Sequence, residues 1–415
     1  PTETAGTSFS IKITARDLHT NTVTGFTGTV DISSTGILSS GSGTTPNFSG
    51  GILSTQPVTI LEGGTFTITA TQTGGGPAGT SNSFVVNNTV PTISNIFPTT
   101  KTAGEPGFTL TVNGTNFISS SIVRVNGSNR STTFINNTQL TALILSSDIS
   151  TAGTPAITVS SPAPGGGISN AQTLTVGNPI VNIKVFLQGP FSSGSMTTGL
   201  RNGGFIPLTQ PYNSSPWNYS GTEQVASIPA NVVDWILIEL RTGTTGSTKV
   251  ATRAAFIRAD GSAVDLDGVS PVGFSGVTLG TYYIVVRHRN HLAIMSSNPV
   301  TINGTSSLYD FTTSESQAYG TAPMATLSGG VFGMFAGDVN GNGTLKYSGS
   351  GNDSGPIYAR IGGAAVSATV SGYFSEDTNL NGTVKYSGAQ NDRAIIYANI
   401  GGGSVSNTIS TQVPP

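Results

Sequence analysis

The chain has no cysteine in 415 residues, only 9% charged residues, two tryptophans and three histidines. Without cysteine there are no disulfides and no thiol chemistry, so stability must come from sheets, length and bound ions. Charge is at about a third of the usual fraction, which is foreign to an ordinary cytosolic protein. A net charge of −2 offers neither a basic footprint for nucleic acid nor an acidic tail, so no nucleic-acid partner is expected. No apolar run approaches the length of a membrane-spanning helix. Gly-x-Ser-x-Gly elbows, His-Glu-x-x-His pairs and phosphate-cradling loops are missing too, and the chain reads as a non-enzyme. It begins Pro1-Thr2-Glu3-Thr4 without an initiator methionine, as a processed, secreted, extracellular or cell-surface chain would.

Short runs of alternating β-branched and aromatic residues take the place of helical patterns. Examples are Phe9-Ser10-Ile11-Lys12-Ile13-Thr14, Thr65-Phe66-Thr67-Ile68-Thr69 and Phe108-Thr109-Leu110-Thr111-Val112, each bounded by Gly, Pro, Asn or Ser. Period two at short spacing predicts β-sandwiches. The expected fold is all-β: tandem immunoglobulin-like β-sandwiches at 1–89 and 90–177, an aromatic-rich β-sandwich at 178–330, and a loop-rich calcium-binding repeat pair at 331–415.

The repeat pair is the most specific signal. Asp338-Val339-Asn340-Gly341-Asn342-Gly343-Thr344 is echoed by Asp377-Thr378-Asn379-Leu380-Asn381-Gly382-Thr383, and the copies close on Asn352-Asp353 and Asn391-Asp392. Oxygen-bearing side chains fall at loop positions 1, 3 and 5 and glycine at 6, the front half of a calcium loop. Thr344 and Thr383, at position 7, would supply backbone carbonyls. Position 12 is glycine in both copies, at Gly349 and Gly388, so the closing carboxylates are expected late, from Asp353 and Asp392. Asn352 or Asn391 could add an oxygen. The competing reading is a turn-rich hairpin, since Asn, Asp and Gly are also turn residues.

Three resemblances follow. Ala5–Asp17 with Asn21–Val30 resembles bacterial immunoglobulin-like repeats. Val90-Pro91-Thr92-Ile93, Ile96-Phe97-Pro98 and the strand ending Gly114-Thr115-Asn116-Phe117 resemble the TIG (transcription-factor-like immunoglobulin) domain, to about Val176. Asp234-Trp235-Ile236-Leu237-Ile238-Glu239-Leu240-Arg241, Arg287-His288-Arg289-Asn290-His291-Leu292 and the loop pair resemble a carboxy-terminal module of secreted Bacteroidota and Chlorobi proteins. In such proteins a β-sandwich precedes dockerin-like calcium loops. That resemblance implies an extracellular location and no defined activity.

His288 and His291 could be metal ligands, or with Arg287 and Arg289 an anion or sugar-acid site, but a continuing strand would put the histidines on opposite faces; the preferred reading is a strand end whose His and Arg side chains pin a neighbouring loop. Glu239 and Arg241 share a strand face and suggest an ion pair, Asp234 a strand-start acceptor, and Asp265-Leu266-Asp267-Gly268 a turn. The function expected is an extracellular structural protein, a fibre subunit or adhesive stalk stabilised by calcium. Its partners would be copies of itself or other surface proteins, joined by strands from the unstructured-looking segments Pro1–Ala5 and Ser404–Pro415. The alternative is a non-catalytic binding module for protein or polysaccharide, stacking sugar on Tyr212, Trp217 or Tyr219, or the non-catalytic stalk of a larger secreted protein.

Overall fold

The computed structural model describes residues 2–415. It is nearly all β and divides into two compact units: one ends at Gly177, and the other comprises Thr102–Gly104 and Asn178–Pro415.

The first unit begins with a sandwich. One sheet runs Phe9–Thr14, Ile52–Ile60, Leu38–Ser40; a second runs Gly43–Thr44, Val30–Ser34, Ile68–Gln72, Ala78–Thr80. Thr2–Thr4 lies parallel to Phe84–Asn87, so three residues of the segment expected to be unstructured form a strand and Ala5 begins the turn that follows; Pro1 lies outside the described residues. The second sandwich of this unit pairs Thr92–Phe97, Phe108–Thr115, Gln139–Ile144 and Thr132–Asn136 in one sheet. Strict alternation along Phe108–Thr115 and Gln139–Ile144 buries Leu110, Val112, Leu140 and Ile144 completely, as period two requires. The Gly114-Thr115-Asn116-Phe117 signature has a local cause. A Cβ at position 114 would lie 1.9 Å from the carbonyl oxygen of Thr92, Asn116 takes a left-handed φ of 61°, and Phe117 drops into the core. Glycine and asparagine are the residues that tolerate these two backbone demands.

The second unit is built on a six-stranded sheet. Ala263–Val264, Lys249–Arg258, Val232–Arg241, Gly280–His288 and His291–Met295 run in that order, and Val300–Ile302 also pairs with Gly280–His288. All ten residues of Val232–Arg241 are buried, so this strand is covered on both faces, which explains its near-continuous apolar run.

Residues 331–415 repeat a loop, a short strand and a helix twice. Helices Ser354–Arg360 and Arg393–Asn399 follow the two Asn-Asp closures, where the sequence pattern had indicated no helix. The strand Thr344–Lys346 pairs with Thr408–Ser410, and Thr383–Lys385 pairs with Thr369–Ser371. Each repeat's first strand therefore pairs with the strand after the other repeat's helix, a pseudo-twofold exchange. Side chains obey it as well: Tyr347 meets Tyr397 and Tyr358 meets Tyr386, with ring centroids 5.1 and 5.0 Å apart. Val339, Ile357, Val384 and Ile396 fill the small core between the halves.

Candidate metal centre and the junction that holds it

Both loops adopt the same wrapped backbone. In the first, Asp338 Oδ2 accepts the Gly343 N–H at 3.1 Å, Asn340 Oδ1 accepts Asn342 N–H at 3.1 Å, and Asn342 Oδ1 accepts Thr344 N–H at 2.8 Å. Asp353 reaches back: its Oδ1 accepts from Val339 N–H at 2.9 Å and Asn340 N–H at 3.3 Å, and its Oδ2 from Lys346 N–H at 2.9 Å. The second loop repeats this. Asp377 Oδ2 accepts from Gly382 at 2.8 Å, Asn379 Oδ1 from Asn381 at 3.1 Å, Asn381 Oδ1 from Thr383 at 2.8 Å, and Asp392 from Thr378 at 2.9 Å and Lys385 at 2.7 Å. The residues at positions 1, 3, 5, 7 and 16 of each repeat are thus gathered around one loop, the late aspartate included. Asn352 is not free to join them: its Oδ1 accepts Gly355 N–H at 2.7 Å and the Ser354 hydroxyl at 3.0 Å, so it caps the following turn. Asn391 Oδ1, in contrast, is buried without a partner.

The electrostatics test whether a cation fits. Asp353, Asp377 and Asp392 are fully buried and Asp338 nearly so, yet among the described residues no ion pair reaches any of the four. The nearby lysines turn away, Lys346 Nζ to Ser350 O and Lys385 Nζ to Ala389 O. Burial pushes Asp338 up to about 6 and, with the charge of Asp338 added, Asp353 up to about 7; burial with the charge of Asp377 does the same to Asp392. Asp338 Oδ1 is buried with no hydrogen-bond partner. Paired buried carboxylates, an orphan oxygen and amide oxygens form a hard-oxygen donor set suited to a divalent cation such as calcium.

The two loops differ in what surrounds them. Position 4 is Gly341 in one and Leu380 in the other, and Leu380 inserts into the core of the sandwich. Gly189 of the sandwich presses on the same loop so closely that a Cβ there would lie 1.9 Å from Thr378 O. The first loop instead borders a cavity of about 550 Å³ lined by Trp217, Tyr219, Glu239, Lys249, Arg287 and Asp338, among others.

The hairpin His288-Arg289-Asn290-His291 locks the loop module to the sandwich. His288 ends one strand, His291 begins the next, and the two pair across the turn, so the rings meet on one side with centroids 4.7 Å apart; the strand ends here, as the reading of a strand end that pins a neighbouring loop requires. Asn290 Nδ2 donates to Asp377 O at 2.7 Å and Ser375 O at 2.9 Å, and Arg289 donates to Phe374 O. Buried Asp234 collects four donors: Trp235 N–H at 2.8 Å, His288 Nε2 at 3.1 Å, Arg289 Nε at 2.9 Å and the Tyr373 hydroxyl at 2.7 Å. Burial alone would raise its pKa, but Arg289, His288 and Tyr373 outweigh that and hold it low. Gly189 N–H donates to His291 Nε2 at 3.2 Å, and the two Nδ1 atoms lie 3.0 Å apart. One assignment satisfies this chain with both rings neutral: His291 Nδ1–H is shared between Asn290 Oδ1 at 2.8 Å and His288 Nδ1 at 3.0 Å, and His288 Nε2–H donates to Asp234. Burial lowers both histidine pKa values, in keeping with neutral rings.

Other sequence-singled residues have structural roles. Arg241 pairs with Glu239 at 2.5 Å and donates to Pro414 O at 2.7 Å. With the strand Thr408–Ser410 and buried Val413, this makes Ser404–Pro415 an integrated segment, contrary to the expectation of an unstructured tail. Asp265 pairs with Arg253 at 2.6 Å, and Asp267 accepts from Val269 and Ser270 N–H, both at 2.9 Å, the plain turn. Tyr212 is fully buried, and its hydroxyl donates to Trp235 O at 2.7 Å, which removes it as a sugar platform. Sequence reasoning missed Tyr373, Asn290 and Gly189. The only hint was that Asn290 sits inside the Arg-His-Arg-Asn-His run.

No curated protein matches the chain significantly. Among solved structures, the Yersinia pseudotuberculosis adhesin InvE is similar at 15% identity over 51% of this chain and 62% of that one, TM-score 0.28. Invasin, a bacterial integrin-binding protein, is 13% identical over 93% of this chain and 72% of its own, TM-score 0.27. The D0-D1 domain of intimin is 15% identical over 42% and 94%, TM-score 0.18. At such scores these likenesses carry no argument about arrangement or activity. Within this all-β chain, residues 91–176 match the family described as the IPT/TIG domain.

Proposed function

We propose that the chain is a non-catalytic extracellular structural protein, a subunit of a surface fibre or an adhesive stalk. Its last 85 residues would form a dockerin-like module closed by two calcium ions. Asp338, Asn340, Asn342, Thr344 and Asp353 would hold one ion, and Asp377, Asn379, Asn381, Thr383 and Asp392 the other. The observation that carries the structural reading is the use made of the charged groups in the second unit. Asp234, Arg289, Glu239, Arg241 and the two neighbouring histidines are buried and spent on joining the sandwich to the loop module or the final strand. Two carboxylates per loop favour the weak affinities that suit millimolar extracellular calcium. No helix of the described residues is long and apolar enough to cross a membrane. Electron microscopy of the purified chain in millimolar calcium, repeated after chelation, tests this. Regular filaments or elongated particles that loosen on chelation are expected; compact particles indifferent to calcium would refute it.

The cavity beside the first loop favours one alternative, a saccharide-binding stalk. Half-buried Trp217 and Tyr219 line it with Lys249, Glu239 and Arg287, the mixture of aromatic face and polar rim that sugars use. Quenching of tryptophan fluorescence by a polysaccharide, lost in Trp217→Phe, would favour it; an empty glycan array would count against it.

A further inference from the structure

The first sandwich has an incompletely covered core. In the second sandwich Leu110, Val112, Val123, Leu140, Ile144, Ile149, Ile157, Val159 and Leu174 are wholly buried, whereas among the described residues of the first Val58, Ile60 and Val86 alone reach that state. Phe9, Ile11, Ile13, Phe26 and Phe84 face its core but remain partly exposed. They line an apolar groove of about 810 Å³ that also runs past Ile68, Ala70 and Ala78–Phe84.

What covers this groove follows from its borders. Among the described residues, the strand Phe9–Thr14 ends one sheet and pairs only with Ile52–Ile60, and Ala78–Thr80 ends the other and pairs only with Ile68–Gln72. Each side therefore presents an unpaired row of backbone N–H and C=O groups, a template for another strand. At Gly79 an added Cβ would meet nothing within 4 Å, so space is open there. Phe84, which opens the strand Phe84–Asn87, stands in the groove wall. Lys12 and Arg16 line the groove against one acid, Glu3.

We propose that this groove accepts an extended β-strand from another polypeptide chain, apolar at alternate positions and acidic where it passes Lys12 and Arg16. Its alternate side chains would complete the core while its backbone pairs with the free edges, the strand-addition mode of recognition. The inference rests on the reading of the chain as a strand-joined structural subunit, and gives that assembly a receiving site.

The test uses the full chain and a fluorescent eight-residue peptide of alternating valine and threonine with one aspartate, beside a twin carrying lysine instead. Fluorescence anisotropy should show the aspartate peptide binding about fivefold more tightly than its twin, and Lys12→Glu should reverse that preference. Hydrogen exchange should slow at Phe9–Thr14 and Ala78–Phe84. No binding, or binding without protection of these strands, overturns the proposal. Microscopy of the same samples separates it from the fibre reading. Filaments that form while the peptide neither binds nor blocks them would sink the groove alone. Peptide binding with protection but no assembly under any condition would keep the groove and sink the fibre subunit.

Discussion

Replacing Asp234 by alanine should detach the loop module from the sandwich. The carboxylate is fully buried and accepts from Trp235, His288, Arg289 and Tyr373. Deleting it strands four donors, one a guanidinium that is 4% exposed. Breaking a buried charge pair by removing one partner costs about 3–5 kcal/mol. The three neutral donors would add roughly 1 kcal/mol each if none relaxed, but water entering the junction offsets part of this, so about 4 kcal/mol is expected. The pair Arg360–Glu376, whose arginine side chain is 40% exposed while the glutamate is buried, is the contrast: Arg360→Gln should cost less, about 1 kcal/mol. Because the chain has several domains, a single melting temperature is a poor readout. Hydrogen exchange of residues 373–400, with limited proteolysis between the sandwich and residue 331, reports the junction directly. Exchange in Asp234→Ala within about 1 kcal/mol of the unmodified chain would refute the claim that this carboxylate holds the two together.

Other outcomes follow from the same contacts. Asp377→Ala should loosen the junction as well as its own loop, since the carboxylate holds the Gly382 N–H and faces the charge of Arg289, in a loop whose backbone meets Asn290 and whose Leu380 sits in the sandwich core; Asp338→Ala should loosen its loop alone, and exchange maps of the two variants distinguish them. In the ion-free protein Asp338, Asp353 and Asp392 titrate near 6 to 7 when folded against 3.8 when unfolded. The folded state then holds more protons, so stability present below about pH 4 is lost as pH rises through 7; saturating calcium should abolish that loss in urea titrations. In calcium the opposite slope remains. His288 and His291 are depressed when folded and Asp234 is held low, so junction stability present above pH 6.5 should fall as acid charges the histidines, read as faster proteolysis near residue 331 at pH 5. Gly114→Ala should destabilise the first unit by about 2 kcal/mol or more, because the added Cβ overlaps Thr92 O and overpacking costs about 1–3 kcal/mol; exchange at Thr92–Phe97 checks it. Truncation before Ser404 should weaken the second unit itself, since it removes the partner of Thr344–Lys346 and the Pro414 carbonyl held by Arg241.

Much of this was legible in the residues. Alternation along Phe108–Val112 specifies a strand through side-chain period alone, the near-continuous apolar run of Val232–Leu240 fits a strand covered on both faces, and the Gly114–Phe117 signature encodes its own backbone geometry. The 39-residue echo exposed both loops because oxygen donors at alternate positions with a glycine at 6 are a chemical pattern as much as a structural one. The helices after Asp353 and Asp392 were hidden. Each is seven residues long, Ser354–Arg360 contains Gly355 and Pro356, and its apolar face is a single pair, Ile357 and Ile361. The strand end at His288 was legible, but the turn to His291 carries no glycine or proline, so nothing in the residues brought the two rings together. Long-range partners such as Tyr373 for Asp234 have no local signature. The difference between the loops could have been read from Gly341 and Leu380, since an apolar residue at a loop tip implies a core to receive it.

Calorimetric titration of the chelated full chain with calcium tests the central claim most directly. Two ions per chain are expected, falling to one in Asp338→Ala and one in Asp377→Ala, with exchange of residues 331–415 slowing as the sites fill. No heat of binding up to millimolar calcium, with exchange of that segment unchanged, would mean that the repeated loops are hairpin turns, and that Asp353 and Asp392 serve only to fasten the backbone.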